Sequence, residues 1–219
     1  MHDKPSAGGY CAPCGGCGNV YGKESSGGKN MDLLKEMLLK EATVVNSDVL
    51  KVDSLLNHGA HPRLTMEMGR EFARRFKGEK ITKVVTLESS GIPVAFCTAY
   101  ELDVPLVFAR RKKTLPDDEE VYSVRVPSYT RGMMTDLIIS RELLTPKDSV
   151  LIIDDIIANG DAAKGLVRII ELSGARLAGI GIVLEKTFQT GGKWLRELGC
   201  RVETLVKIKS LENGQIVFE

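Results

Sequence analysis

Short runs of branched apolar residues alternate along this chain with stretches whose apolar positions recur every three or four residues. Leu33, Leu34, Met37 and Leu38, with Lys35, Glu36 and Lys40 between them, predict a short amphipathic helix capped by Asp32. Val49 to Val52 predicts a short strand leading into Ser54-Leu55-Leu56-Asn57-His58. Pro62 then opens a helix through Leu64, Met68, Phe72 and Phe76 that stops at Gly78. Further strands are expected at Val84–Leu87, Leu106–Ala109, Val121–Val126, Leu137–Ser140, Val150–Ile153, Ile180–Leu184, Val202–Ile208 and Ile216–Phe218. Helices are expected from Gly91 to Tyr100 and around Leu166, Val167, Ile169 and Ile170. The last two strands flank an Asn213-Gly214 turn. The charged stretch Arg110–Glu120 has no apolar period and reads as a mobile loop. Strands and helices alternating in this way predict an α/β fold, with a central, mostly parallel sheet covered by helices on both faces.

Residues 1–30 break the pattern. They are rich in Gly and Ser and nearly free of aliphatic side chains, so they cannot pack a core, and a disordered extension is expected. Cys11, Cys14 and Cys17 within it make two overlapping C-x-x-C units, one ligand short of a closed zinc site unless His2 supplies the fourth. Gly27-Gly28 shortly before Met31 is also what a translated ribosome-binding tract would encode, which makes Met31 a candidate start. Residues 31–219 form the expected folded domain. A net charge of +1 advertises neither nucleic acid nor a membrane surface as partner. No apolar run approaches the roughly 20 residues that span a bilayer, and no secretory h-region is evident, so a cytoplasmic location is expected. Cys97 and Cys200 read as reduced thiols.

One segment carries chemistry. Val150 to Ile153 is a strand buried on both faces, and Asp154-Asp155 at its C-terminal end have no core role; open α/β sheets bind ligands there. Ala158-Asn159-Gly160-Asp161-Ala162 then enters a helix, offering free backbone N–H groups and the positive end of a dipole to a phosphate. Carboxylates for sugar hydroxyls followed by a phosphate cradle describe a ribose 5-phosphate site. Glu88-Ser89-Ser90-Gly91 repeats the strand–loop–helix arrangement and is a second anion-binding candidate. Arg110 leaves a strand end where phosphates would arrive. Lys186, by position alone, serves equally as a surface ion-pair partner or as a donor to a purine O6.

The stretch Val150–Ala162 resembles the fingerprint of the type I phosphoribosyltransferases, which bind phosphoribosyl pyrophosphate (PRPP). Ala158 and Ala162 stand where the wider family often has Asp, Ser or Thr. Leu50 to His58, Glu88 to Ile92, Ala158-Asn159-Gly160 and Gly179 to Lys186 together are similar to the bacterial xanthine phosphoribosyltransferase family, over about Met31 to the C-terminus. The resemblance implies the type I fold with a small hood, a homodimer, and transfer of a phosphoribosyl group from PRPP to xanthine with Mg²⁺ carried on the pyrophosphate. It places Leu50, Asn57 and Lys186 at the base and residues Ala158 to Ala162 on the 5-phosphate. Glu88 to Gly91, the latter by an often strained peptide bond, and Arg110 are placed on the pyrophosphate. Asp154 and Asp155 orient the ribose, and the backbone of Asp161 binds while its side chain turns outward. The loop up to Tyr129-Thr130 resembles the family's lid. Hypoxanthine-guanine enzymes carry an acid where Ala158 stands, so the base-side proton acceptor is missing. Two alternatives stay open: preference for guanine or hypoxanthine, and a PRPP-sensing regulator without turnover. Against the latter, residues 1–30 are too few and too polar for a DNA-binding domain.

Overall fold

The computed structural model describes residues 29–112, 120–128 and 133–219. The cysteine-containing segment and Tyr129-Thr130 therefore lie outside the described residues. Helix α1 (Lys29–Glu41) starts ahead of Met31, and Asp32 sits in its first turn rather than at its cap. A carboxylate there still meets the positive end of the helix dipole. Leu34 and Leu38 of this helix are fully buried. An antiparallel hairpin of β1 (Thr43–Val44) and β2 (Leu50–Lys51) follows, then one turn of π-helix at 53–57 that buries Leu55 and Leu56. Hairpin and turn make up the small hood.

The chain then runs through α2 (Pro62–Arg75), β3 (Lys83–Leu87), α3 (Ile92–Leu102), β4 (Leu106–Lys112), β5 (Val121–Ser128) and β6 (Met133–Ser140). After these come β7 (Ser149–Ile157), α4 (Asp161–Ser173), β8 (Arg176–Lys186), α5 (Gly191–Glu197), β9 (Val202–Glu212) and β10 (Gln215–Phe218). Each of the eleven strand and helix segments expected from residue 62 onward has a counterpart, whereas α5 and the strand character of Arg110–Lys112 were not expected. Arg110–Lys112 do not begin a loop but finish β4, because β6 pairs with them antiparallel. Residues 113–119 lie outside the described ones.

The main sheet has the order β10-β9-β8-β7-β3-β4-β6-β5. Its five middle strands are mutually parallel, and β10, β6 and β5 add on antiparallel. Asn213 and Gly214 both have positive φ at the β9–β10 turn, as a type I′ hairpin requires. Side chains alternate across the sheet. Leu151 and Ile153 of β7 face Phe72, Phe76 and Leu38 on the α1–α2–α3 side. Val150 and Ile152 face Leu166, Ile169 and Ile170 of α4 on the other. Both faces are covered, which is why β7 reads as a continuous apolar run.

From β3 the chain moves outward to β4, and from β7 it moves outward the other way to β8 and β9. The order therefore reverses between β3 and β7, the place where open α/β sheets form a ligand crevice. The pairing opens that crevice. β7 is bonded to β3 only as far as Ile152, opposite Val85, whereas its pairing with β8 continues to Ile157 opposite Glu185.

Candidate active site

Past Ile152, β7 is free on its β3 side, and Asp154 and Asp155 occupy this free stretch. They are not at the strand's end, as expected, because pairing with β8 carries the strand on to Ile157. Nor is Asp154 exposed. It is 7% accessible, with its Oδ1 accepting the Asp155 N–H at 3.1 Å. Burial, and then the neighbouring Asp155 charge, push the Asp154 carboxyl well above its ordinary value. Burial raises Asp155 as well, opposed by hydrogen bonds that include one from Ser90. Two adjacent acids short of countercharge form a site prepared for hydroxyl donors or a cation.

Asp154 lines a cavity of about 750 Å³ whose walls come from five stretches of the chain. The turn Ala158 to Ala162 forms one wall, and all five residues expected to hold the phosphate line it. Gly160 has φ 80°, which a side chain rarely tolerates, and α4 starts directly after it. The first N–H groups of α4 are thus presented to the cavity without intrahelical partners. The side chain of Asp161 is turned to Lys164, with 3.7 Å between charges. Behind the turn lies Gly191, the first residue of α5. Its N–H donates to Ala158 O at 2.9 Å, and a Cβ there would stand 2.7 Å from Gly160 N.

Lys186, Phe188, Gln189 and Thr190 also line the cavity, from the end of the neighbouring strand β8 and the turn after it. Lys186 ends β8 rather than following it, and it is buried. Its Nζ donates to Asp48 O at 2.6 Å, tying the hood to the sheet and bringing Asp48 and Val49 into the cavity wall. Burial lowers the Lys186 pKa, with the Asp48 charge opposing. The preceding Glu185 faces elsewhere: Arg196 donates to it twice at 2.6 Å and Thr204 once at 2.7 Å. Burial would raise its carboxyl, but those bonds outweigh that and hold it below its ordinary value.

Other expected residues are placed differently. Leu50 is 7% accessible and packs in the core beneath the hood, while its neighbour Val49 reaches the cavity. Asn57 is engaged on both sides: its Nδ2 donates to Asp53 at 2.9 Å, and its Oδ1 accepts from Ser90 at 3.1 Å. This links the hood to the β3–α3 loop. In that loop the Glu88–Ser89 peptide is cis, and Gly91 packs close enough to Asp154 that a Cβ would come within 3.4 Å of its Oδ1. Arg110 is turned away. It donates to Glu88 at 2.7 Å and lies over the Phe108 ring, and Arg111 is the arginine that lines the cavity.

Strand parity accounts for the exchange. Val107 and Ala109 pack toward α4, so Arg111, on their face, emerges beside the phosphate turn, whereas Arg110 shares the other face with Phe108. Phe188, Gln189 and Thr190 escaped notice because a turn after a strand has no periodic signal; their proximity to Lys186 was the available cue.

Comparison with known proteins agrees with this geometry. The family model described as phosphoribosyl transferase domain matches residues 51–193. Xanthine phosphoribosyltransferase of Moorella thermoacetica is 52% identical over 188 residues, 86% of this chain and 96% of the relative. The protein of the same name from Bacillus mycoides is also 52% identical, over 86% of this chain and 95% of its own. Among solved structures, adenine phosphoribosyltransferase from Rhodothermus marinus superposes with a TM-score of 0.66 at 25% identity. That match covers 82% of this chain and 99% of the other.

Proposed function

Because the chain belongs to the phosphoribosyltransferase family, we propose that it transfers the 5-phosphoribosyl group of PRPP to xanthine, giving xanthosine 5′-monophosphate and pyrophosphate in purine salvage. The observation that carries this reading is a single cavity lined by a buried acid, a helix-N-terminal phosphate turn and a buried lysine. Adenine has no oxygen for Lys186 to meet, whereas an oxopurine does.

The 5-phosphate sits on the N–H groups of Asp161 and its successors at the start of α4. Breaking the C1–O bond gives the ribose oxocarbenium character. Asp154 and Asp155 accept from the ribose hydroxyls and place negative charge near the developing cation. Lys186 donates to the base from the end of β8, and Phe188 and Val49 give the flat ring apolar surfaces. Arg111 draws the leaving pyrophosphate. Ala158 offers no carboxylate as proton acceptor, and xanthine, the most acidic of the common purines, needs less help. Mg²⁺ fits the same place: hard carboxylate oxygens that lack countercharge suit it, and Asp154 and Asp155 would hold it where its positive charge would offset that of the pyrophosphate.

The test is one PRPP-dependent assay run with xanthine, guanine, hypoxanthine and adenine. The highest kcat/KM is expected for xanthine. A preference for guanine or hypoxanthine would move the reading to another oxopurine, and PRPP binding without any turnover would make the protein a sensor.

Residues 31–219 are proposed as the catalytic domain, working in the cytoplasm where charged PRPP is retained. No helix among the described residues is long and apolar enough to cross a membrane. A homodimer is proposed as well. Phe96 and Tyr100, one turn apart on α3, are 61% and 69% exposed, and Phe108 of the adjacent β4 is 36% exposed. Sedimentation of the parent as a dimer and of Phe96→Glu as a monomer would support it.

A further inference from the structure

Parity explains which face of β4 Arg111 leaves, but not what holds the strand end still. The β3–β4 ladder stops at Leu87 opposite Ala109. Beyond it the Glu88 N–H donates to Ala109 O at 3.1 Å. The Glu88 side chain then takes over where the ladder ends. One carboxylate oxygen accepts the Arg111 backbone N–H at 2.7 Å, and the other accepts Arg110 Nη1 at 2.7 Å. Arg110 is itself fixed over Phe108, 4.8 Å from the ring centre. One carboxylate thus binds two successive residues of β4 to the β3–α3 loop.

A free carboxylate in this place would repel a polyanion. Glu88 is not free: both oxygens are taken by cationic or N–H donors, and its side chain is 24% exposed. These bonds hold its carboxyl below the ordinary value despite burial, so it stays ionised at neutral pH. Its direct partner Arg110 faces away from the cavity, and the residue whose backbone it grips faces in.

We propose that Glu88 is a positioning residue for phosphoribosyl transfer: by clamping the backbone of Arg111 it aims the Arg111 guanidinium into the cavity at the pyrophosphate of PRPP. The proposal rests on the transferase reading above. It differs from a role for Glu88 as a PRPP ligand, because Glu88 acts only through Arg111.

A double-mutant cycle separates the two. Affinity for PRPP with Mg²⁺ is measured by calorimetry, without a base, for the parent, Glu88→Ala, Arg111→Ala and the double variant. Turnover of the parent with xanthine, measured first, tests the functional reading by itself. Glu88→Ala is expected to weaken PRPP about tenfold when Arg111 is present and less than about twofold when it is absent, as for groups acting as a unit. Glu88→Gln keeps an oxygen for the Arg111 N–H and should stay within about threefold of the parent. Equal losses in both backgrounds would overturn the proposal, since Glu88 would then act directly or through the fold. So would an undiminished affinity in Glu88→Ala, or a glutamine variant as weak as the alanine one. Melting temperatures of all variants identify any that fail to fold; Glu88→Gln, which conserves shape, then decides the matter against Arg111→Ala.

Discussion

At the scale of single residues, Asp154 and Lys186 show how burial equips a group for its task. Both are charged side chains held in the wall of one cavity, and burial opposes the charge of each. For Asp154 this has a consequence for stability. Its folded pKa lies above the unfolded value, so the folded state holds a proton that the unfolded state has released. The sign follows: stability falls as pH rises from the ordinary aspartate range through the raised value, and the penalty is complete above it. Asp154→Asn removes that penalty. The variant should melt at or above the parent's temperature at pH 7, and the difference should shrink as pH is lowered, read from melting curves across pH. Its turnover should fall by about two orders of magnitude or more, because the ribose loses an orienting charge. A variant both fully active and less stable would make Asp154 a structural acid. Lys186→Ala should raise KM for xanthine roughly 10- to 150-fold, the equivalent of about 1.5–3 kcal/mol for a hydrogen bond to a charged group. PRPP affinity without base should barely change, and equal weakening of both ligands would show a general electrostatic role instead.

At the scale of elements, α5 packs tightly against the phosphate turn. Gly191 N–H bonds Ala158 O, and there is no room for a Cβ between that oxygen and Gly160 N. Because Phe188 to Thr190 lead directly into Gly191, the base wall and the phosphate turn are set against each other at this glycine. Gly191→Ala must therefore displace the turn by several tenths of an ångström. Misplacement on that scale is costly where a phosphate is held by fixed N–H groups. KM for PRPP should rise about tenfold or more, measured at saturating xanthine. An unchanged KM would mean that α5 moves instead and the turn does not depend on it.

For the molecule as a whole, the site is made by the strand order. Reversal between β3 and β7 leaves β7 unpaired on one side past Ile152, and the acid pair, the phosphate turn and the β3–α3 loop all gather there. Among the described residues, the two hydrophobic clusters that hold the sheet begin at Met31. A chain lacking residues 1–28 should accordingly keep the parent's melting temperature within about a degree or two and its kcat/KM within about twofold. The cut is made ahead of α1, since Met31 is buried. A soluble yield that collapses, or bound zinc lost together with the segment, would show that the cysteines matter to the fold.

Local pattern along the chain was enough for features that depend on near neighbours. Four apolar residues before Asp154-Asp155, and small residues before an amphipathic helix, announce a doubly covered strand and a phosphate turn because these depend only on neighbours in the chain. Lys186 was not legible in this way: its position after an apolar run fits a surface ion pair as well as a base contact. How partners act on each residue from a distance came from the assembled fold. β6 paired with Arg110–Lys112 and turned an expected loop into strand, and the parity of that strand sent Arg111 inward in place of Arg110. Burial of Asp154 and the engagement of Asn57 by Asp53 and Ser90 likewise required the sheet and the hood to be assembled. Apolar spacing encodes which face a residue takes within its own element; which elements stand beside that face is encoded in contacts far apart in the chain, and these leave no local pattern to read.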